Sequence, residues 1–129
     1  MEDFSYLCPQ IIDNKISLNA KTYKIKEMKQ YVIKAYDGEG KLDKRMEVRP
    51  RHFEGMEKMK EHILCAGGML DDDGKMIGSL LVIEFENREQ LDEYLAHEPY
   101  VVEHVWERIE VERMNVVIFD KEIIREKIW

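Results

Sequence analysis

Residues 78–85 are the stretch that most limits how this chain can fold. Their sequence, Gly-Ser-Leu-Leu-Val-Ile-Glu-Phe, is apolar at nearly every position rather than at every second one. A strand with apolar residues on both sides must be covered on both faces of its sheet. The stretch therefore predicts a strand that is covered on both of its faces.

The segments around this strand carry the patterns of further strands and helices. β-Branched and aromatic residues favour strands, whereas apolar residues at three- and four-residue steps favour helices. Phe53, Met56, Met59 and Ile63 form such a helical stripe. The predicted elements are a strand at residues 31–36, a helix at 50–62, strands at 63–70 and 78–85, a second helix ended by Pro99 and a fourth strand at 105–119.

Local signals mark the ends of the helices. Pro50 is expected at the first position of the first helix, where its missing N–H costs nothing. Asn87 is expected to cap the second helix, with Gln90 in the capping-box position. Pro99 is expected to end that helix, because the residue before a proline avoids the helical region.

Glycines mark two places in and after the second strand. The pair Gly67-Gly68 suggests a bulge or a close approach of another backbone or a ligand. Asp71-Asp72-Asp73-Gly74 has the Asp-Gly step of a hairpin turn. A calcium loop would need an aspartate where Met69 stands, so we do not expect a metal ion there.

The order of the elements is β-α-β-β-α-β, which predicts a ferredoxin-like α+β fold. In this fold two helices cover one face of an antiparallel sheet. The apolar residues on the other face then need a cover of their own, and a second copy of the chain in a symmetric dimer is the simplest one.

The chain divides into three parts. Residues 28–119 hold the predicted elements, and residues 120–129 form a charged tail whose spaced apolar residues suggest a short helix. Residues 1–27 are an N-terminal extension, in which residues 16–25 alternate weakly like a short hairpin. Two interpretations of residues 1–27 stay open: a loosely attached extension, or a non-native start before Met28, which leads directly into the first strand.

Composition excludes several classes of partner. The net charge is −7 and the pI is about 5.2, whereas nucleic acids and anionic membranes bind clustered Lys and Arg. The N-terminus is acidic and lacks the apolar region of a secretory signal. Cys8 and Cys65 are the two cysteines, and without a CxxC they do not form a metal site. We expect a cytoplasmic protein with Cys65 in its core.

A cation and an imidazole stand together on the first helix. Arg49 and His52 are three residues apart, which places them on one helix face about one turn apart. An unperturbed histidine has a pKa of about 6.5, which suits proton transfer near neutral pH. A neighbouring carboxylate would fix its tautomer and stabilise the imidazolium, and Glu98 at the end of the second helix can supply one. The pattern predicts a small acid/base site.

Five motifs, in this order, resemble the YCII-related (YciI-like) family. They are Tyr31-Val32-Ile33, Arg49-Pro50-Arg51-His52, Ala66-Gly67-Gly68, Gly78-Ser79 and Glu98-Pro99-Tyr100-Val101. The resemblance covers roughly residues 28–119. It implies a dimeric α+β barrel with a His–Asp pair in a cleft. One member of the family is a dehydrochlorinase of a chlorinated hydroxyhydroquinone, and most members have no known activity.

The resemblance also implies roles for individual residues. His52 matches the family histidine, and Glu98 stands where the family has an aspartate. Glu98 keeps the carboxylate but adds one methylene, so we expect the pair to sit differently. The catalytic candidates are therefore His52 and Glu98, and the substrate-binding candidates are Arg49, Ser79, Tyr100 and His104, the last where some relatives have a small residue.

Each candidate also has a purely structural interpretation. His52 and Glu98 either transfer protons or form a buried structural pair. Arg49 either holds a substrate carboxylate or phenolate, or forms a surface ion pair with Glu47 or Asp43. The serine and tyrosine candidates either donate hydrogen bonds to a substrate or only fill space.

Two functional hypotheses follow. The four histidines lack metal-site spacing and the chain lacks nucleotide-binding glycine motifs, so we expect neither a metal nor another cofactor. The first hypothesis is a homodimeric, cofactor-free lyase, isomerase or dehydrochlorinase acting on a small cyclic or aromatic molecule. The second is a non-catalytic small-molecule-binding or accessory dimer of the same fold. Heme or flavin oxygen chemistry on a related barrel is a weaker third, which a visible absorption band would indicate.

Overall fold

The computed structural model describes residues 28–123 of the 129-residue chain. Its main elements follow the order that the sequence predicts, and the ferredoxin-like α+β fold is confirmed. The elements are β1 (Lys29–Asp37), α1 (Leu42–Lys58), β2 (Ile63–Leu70), β3 (Met76–Phe85), α2 (Arg88–His97), α3 (Pro99–Val102), β4 (Trp106–Met114), β5 (Ile118–Phe119) and β6 (Glu122–Ile123). The hairpin predicted at residues 16–25 lies outside the described residues. Within residues 28–123, no helix is long and apolar enough to cross a bilayer.

The four long strands form one antiparallel sheet in the order β2-β3-β1-β4. β1 lies inside the sheet, where Ile33 is opposite Leu81 of β3 and Val111 of β4. Every second residue of β1 is buried against the helices, as the period of a strand requires. Val48 of α1 and Leu91 of α2 close this core from the other side. The core therefore lies between the sheet and a single helical layer.

Helix α1 begins at Leu42, eight residues before the start that the sequence predicted. Its buried face consists of Arg45, Val48 and His52, whereas Phe53 of the predicted apolar stripe is 45% exposed. The prediction was wrong because the charged residues 41–47 gave no apolar period, although Arg45 among them is held inside by a buried ion pair with Asp37. Pro50 consequently lies within the helix, on its exposed side, where water can satisfy the carbonyl that a proline leaves without a donor.

The second strand and its turn are confirmed at residues 63–70 and 71–74. Gly74 has φ +83° and donates its N–H to the carbonyl of Asp71 at 3.0 Å. The predicted bulge at the glycine pair is wrong, because the pairing of β2 with β3 is irregular at both ends of the strand instead. At Gly68 an added Cβ would make only ordinary contacts, with Met76 Sδ at 3.4 Å and with Arg45 Nη2 and the carbonyl oxygen of Gly78 at 3.7 Å.

The expected cap of α2 is confirmed. The side chain of Asn87 accepts a hydrogen bond from the N–H of Gln90 at 2.9 Å. The side chain of Gln90 reaches back to the N–H of Glu86 at 3.0 Å, one residue before the partner of a regular capping box. α2 ends at His97, before Pro99, which then begins the short helix α3.

The fourth strand ends at Met114 rather than at Phe119. After Asn115, a residue type disfavoured in strands, the chain folds over the sheet face that the helices leave open. There the N–H of Val116 donates to Gln30 Oε1 at 2.8 Å. The predicted helix of the tail is wrong for its first part, because β6 pairs with β5 in a separate two-stranded sheet. Residues 124–129 lie outside the described residues.

Cys65 is exposed rather than part of the core. It lies on β2, which is an edge strand of the sheet, on the face away from the helices. It lines a cavity of about 390 Å³ between this face and the chain after β4, together with Val82 and Val116. An apolar sequence run indicated a strand here but could not distinguish an inner strand from an edge strand.

Candidate active site

His52 and Glu98 form a buried pair between two helical segments. His52 lies in the middle of α1, and Glu98 lies between α2 and α3 with an extended backbone (φ −67°, ψ 124°). The Nδ1 atom of His52 is 2.9 Å from Oε1 and 3.0 Å from Oε2 of Glu98. The two residues are 5% and 2% exposed. The extra methylene of glutamate therefore still allows both oxygens to reach the imidazole.

Two further donors fix the carboxylate of Glu98. The N–H of Tyr100 donates to Oε1 at 2.7 Å, so the side chain of Glu98 caps α3. The hydroxyl of Tyr94 donates to Oε2 at 3.2 Å. Burial, followed by the negative charge of Glu98, raises the pKa of Tyr94 well above its ordinary value of 10.0. Tyr94 therefore remains a hydrogen-bond donor to Glu98 at neutral pH.

This arrangement leaves one ring nitrogen of His52 for chemistry. A carboxylate accepts hydrogen bonds, so Nδ1 carries a proton and donates a hydrogen bond to Glu98. In the neutral imidazole Nε2 is then an unprotonated acceptor. A histidine oriented in this way can take a proton at Nε2 and later return it.

Tyr100 packs against His52 and engages its hydroxyl within the protein. Its ring is stacked on the imidazole, with a centroid distance of 4.0 Å, and its hydroxyl donates to the carbonyl of Arg45 at 3.4 Å. Burial raises the pKa of Tyr100, although the charges of Arg45 and Arg49 act in the opposite direction. Tyr100 therefore orients His52 by contact and is a poor acid.

A second buried pair, Arg45 and Asp37, lies next to the first and was missed in the sequence. Arg45 Nη1 donates to Oδ1 and Oδ2 of Asp37 at 2.8 and 3.0 Å, and Nη2 donates to Ser79 Oγ at 2.7 Å. Burial raises the pKa of Asp37, although Arg45 opposes this effect. The available signal was the spacing, because Arg45 precedes His52 by seven residues and so shares its helix face.

Ser79 follows a glycine that the fold requires. A Cβ at Gly78 would lie 2.3 Å from the carbonyl oxygen of Ala35 on the neighbouring strand. Glycine at this position lets β3 approach β1 closely, and Ser79 then points to the helix side against Arg45. The Gly-Ser step thus has a structural explanation of its own.

The other two substrate-binding candidates lie at the margin of this cluster. The guanidinium of Arg49 lies 4.3 Å from the ring centroid of Phe53, while Glu47, one of its expected partners, pairs with Lys44 at 3.5 Å. His104 is exposed in the turn between α3 and β4, with φ 61°. Within residues 28–123, neither Arg49 nor His104 takes part in the hydrogen-bonded cluster of His52, Glu98, Tyr100, Arg45, Asp37 and Ser79.

Trp106, which the sequence analysis did not select, completes the surroundings of His52. Its ring is nearly perpendicular to the imidazole, at 79° and a centroid distance of 5.9 Å, and it also contacts Tyr100 edge to face at 5.5 Å. It is 5% exposed. His52 is thus enclosed by a tyrosine and a tryptophan, which exclude most water from the imidazole.

A groove of about 340 Å³ lies between α1 and α2 and reaches Glu98 beside Tyr94. Gly55 lies on its wall, where an added Cβ would make only ordinary contact with Pro99 at 3.9 Å. Glycine here leaves the groove wider than any other residue would. Among the described residues, no three His, Cys, Asp or Glu side chains are grouped so that they could hold a metal ion.

A ferredoxin-like α+β domain with a buried His–carboxylate pair is the class of protein that these features define. The sequence matches the YCII-related domain over residues 29–115, and the chain belongs to this family, as its motifs predicted. It is 33% identical over 95 residues to Protein YciI of Escherichia coli O6:H1 (strain CFT073) and of Shigella flexneri. These matches cover 67% of this chain and 97% of each YciI protein.

One solved structure with a TM-score above 0.5 shows the same fold. The chain is similar to 5-chloro-2-hydroxyhydroquinone dehydrochlorinase (TftG) from Burkholderia phenoliruptrix AC1100, solved in complex with 2,5-dihydroxybenzoquinone. The TM-score is 0.63 at 25% identity, covering 67% of this chain and 93% of that one. A dimeric protein of unknown function and ferredoxin-like fold from Bacteroides fragilis NCTC 9343 is more distant, with a TM-score of 0.44 at 14% identity over 70% of this chain and 97% of that one.

Proposed function

We propose that this protein is a small cofactor-free enzyme that uses His52 and Glu98 for acid/base chemistry on a cyclic or aromatic substrate. The observation that carries the proposal is the contact of His52 Nδ1 with both oxygens of a buried carboxylate. That carboxylate is held in turn by Tyr100 and Tyr94. Such a pair fixes the tautomer of the base and stabilises the imidazolium that forms during the reaction.

A dehydrochlorination or a related elimination suits this site. Nε2 of His52 takes a proton from the substrate, the electron pair of the broken bond moves into the ring system, and the leaving group departs as an anion. The products together contain the same electrons as the substrate, so no oxidant or reductant is required. The similarity to TftG, a dehydrochlorinase, supports this reaction class.

We further propose that the enzyme works as a homodimer in the cytoplasm. Ile118 and Phe119, beside the open sheet face, are large apolar side chains that are 56% and 42% exposed. Exposed apolar side chains next to one another are typical of surfaces that bind a partner, and a second copy is the simplest one. The exposed thiol of Cys65 suits a reducing compartment.

The test is release of chloride from 5-chloro-2-hydroxyhydroquinone, measured for the wild type, His52→Gln and His97→Gln. His97 is an exposed histidine whose Nδ1 contacts the carbonyl of Glu93, so its variant is the matched control. We expect turnover by the wild type and the control and a loss of at least about 10²-fold in His52→Gln. If the compound raises the melting temperature but no chloride appears, the accessory-protein hypothesis replaces this proposal.

A further inference from the structure

The proposed reaction places negative charge on a substrate oxygen, and a donor beside His52 is needed to stabilise it. The hydroxyl of Tyr100, a donor that the sequence suggested, is already engaged, because it donates to the carbonyl of Arg45. Ser79 Oγ accepts a hydrogen bond from Arg45 Nη2 at 2.7 Å and is held by that guanidinium. A ring in contact with the imidazole that carries a donor without a protein acceptor is therefore the better candidate.

Trp106 has such a donor. Its Nε1 atom is buried and has no hydrogen-bond partner within residues 28–123. The residue begins β4 directly opposite Asp37, with its ring next to the rings of His52 and Tyr100. Buried polar groups without partners are rare in folded proteins, and each one calls for an explanation. For a tryptophan beside a candidate catalytic histidine, a ligand oxygen is a direct explanation.

We propose that the indole N–H of Trp106 donates a hydrogen bond to the oxygen of a quinone or phenolate substrate while His52 moves the proton. This inference rests on the proposed function, because it takes His52 as the group beside the reacting atoms. It makes Trp106 a catalytic residue that touches the substrate.

The chemistry of indole makes this donor selective. Its N–H donates but cannot accept, and it does not titrate in the working range of proteins. It therefore favours a carbonyl or phenolate oxygen over a substituent that can only donate. In a buried site the hydrogen bond strengthens as negative charge builds up on that oxygen, which stabilises the transition state more than the bound substrate.

The second buried donor without a partner is Arg45 Nε, on the other residue that contacts the Tyr100 ring. The remaining nitrogens of Arg45 are held by Asp37 and Ser79, so its position is fixed by the protein. Trp106 is in direct ring contact with His52. Trp106 is therefore the donor that we assign to the substrate.

The first test observes the indole N–H of Trp106 itself by NMR. The chain contains two tryptophans, Trp106 and Trp129, so protein labelled with 15N-tryptophan gives two indole signals, and the Trp106→Phe variant identifies that of Trp106. On addition of 2,5-dihydroxybenzoquinone we expect the Trp106 indole proton to move downfield, as hydrogen-bonded protons do. If the signal stays in place up to millimolar quinone, the proposal is overturned.

Kinetics of Trp106→Phe provide the second measurement. Phenylalanine keeps an aromatic ring against His52 and removes only the donor. We expect kcat with 5-chloro-2-hydroxyhydroquinone to fall by about 10²-fold with a smaller change in KM. Equal kcat values in the variant and the wild type overturn the proposal and leave the proposed function intact. A shifted indole signal without any turnover has the opposite meaning: the donor role stands and the proposed chemistry fails.

Discussion

Two buried pairs, each made of a basic side chain and a carboxylate, lie two helical turns apart along α1, and the ring of Tyr100 contacts both. The imidazole of His52 stacks on this ring at 4.0 Å, and the guanidinium of Arg45 lies 4.8 Å from the same centroid. Each basic side chain has a carboxylate partner from another part of the fold, Glu98 before α3 and Asp37 at the end of β1. The two pairs are alike in burial and differ in what their nitrogens can do.

The two pairs differ because imidazole has a nitrogen that can gain and lose a proton near neutral pH, whereas guanidinium has none. The guanidinium of Arg45 keeps its charge at every relevant pH, and it is held by Asp37 and Ser79. The imidazole of His52 donates through Nδ1 and has a second nitrogen for proton exchange. The arginine pair therefore fastens α1 to the sheet, whereas the histidine pair is the one suited to catalysis. Burial and ion pairing alone do not identify an active site.

The largest expected effect comes from breaking the arginine pair. Arg45→Met leaves the buried carboxylate of Asp37 without its partner, and such a change costs about 3–5 kcal/mol in the free energy of unfolding. Urea denaturation measures this loss. Lys44→Met at the neighbouring, more exposed position is the matched control and should change stability far less. Similar losses in both variants would show that the buried pair does not fasten the helix.

The next effect concerns the histidine pair and falls on activity. Glu98→Gln retains the size of the side chain but removes the charge that stabilises the imidazolium, so kcat should fall by about 10²–10³-fold. The loss of folding free energy should be well below that of Arg45→Met. Chloride release and urea denaturation of the same samples give both values. A variant that keeps wild-type kcat would reduce the histidine pair to a structural role.

A third prediction concerns Tyr94, whose hydroxyl donates to Glu98, so that its substitution tests the histidine pair rather than the arginine pair. The pKa of Tyr94 is raised in the folded chain, whereas it is near 10.0 in the unfolded chain. As the pH rises above 10, the unfolded chain therefore loses this proton while the folded chain still holds it. Stability should therefore fall by about 1.4 kcal/mol per pH unit above pH 10 on account of this group. Urea denaturation at increasing alkaline pH measures the slope. Tyr94→Phe should show a shallower slope, and an unchanged slope would contradict the assignment.

The smallest effect is expected for the exposed ion pairs of Glu103 with Arg51 and Lys44. Comparison with the buried pairs then shows how much burial adds to the strength of a pair. Hydrogen bonds from Arg51 and Lys44 lower the pKa of Glu103 below 4.5. The stabilisation is present above pH 4.5 and is lost as the pH falls through the lower value of the folded state. In Arg51→Ala the carboxyl carbon of Glu103, followed by NMR, should titrate closer to 4.5. Arg88→Ala, which removes a separate exposed pair with Asp92, should leave that titration unchanged.

The sequence was sufficient for the order of elements, the bounds of β2 and the cap of α2, since apolar periodicity and turn residues determine these locally. It failed at the start of α1 and at the end of β4. At α1, Arg45 counts as polar in any periodicity, and its buried partner comes from a strand eight residues earlier. At β4, the chain leaves the sheet because residues 116 and onward pack over the open face. The alternation of apolar and polar residues along the sequence gives no sign of this packing.

For a related reason, the sequence predicted some residues of the candidate site and missed others. His52 and Glu98 were proposed from their places on the helices and from the family resemblance, and their side chains lie in contact in the structure. Arg45 and Trp106 were not proposed, since each gains its meaning from neighbours that are distant in the sequence. An unpartnered indole nitrogen becomes visible only when the surrounding atoms are known.

One side chain, that of Glu98, both closes the first turn of α3 and holds the imidazole of His52. Most substitutions at this position affect both tasks at once, so selection for a stable protein acts on the same residue as selection for turnover. A descendant that had lost its reaction would still retain an acidic residue here. A carboxylate at this position in a relative is therefore no sign that the relative is active, and a test of activity has to begin at the histidine.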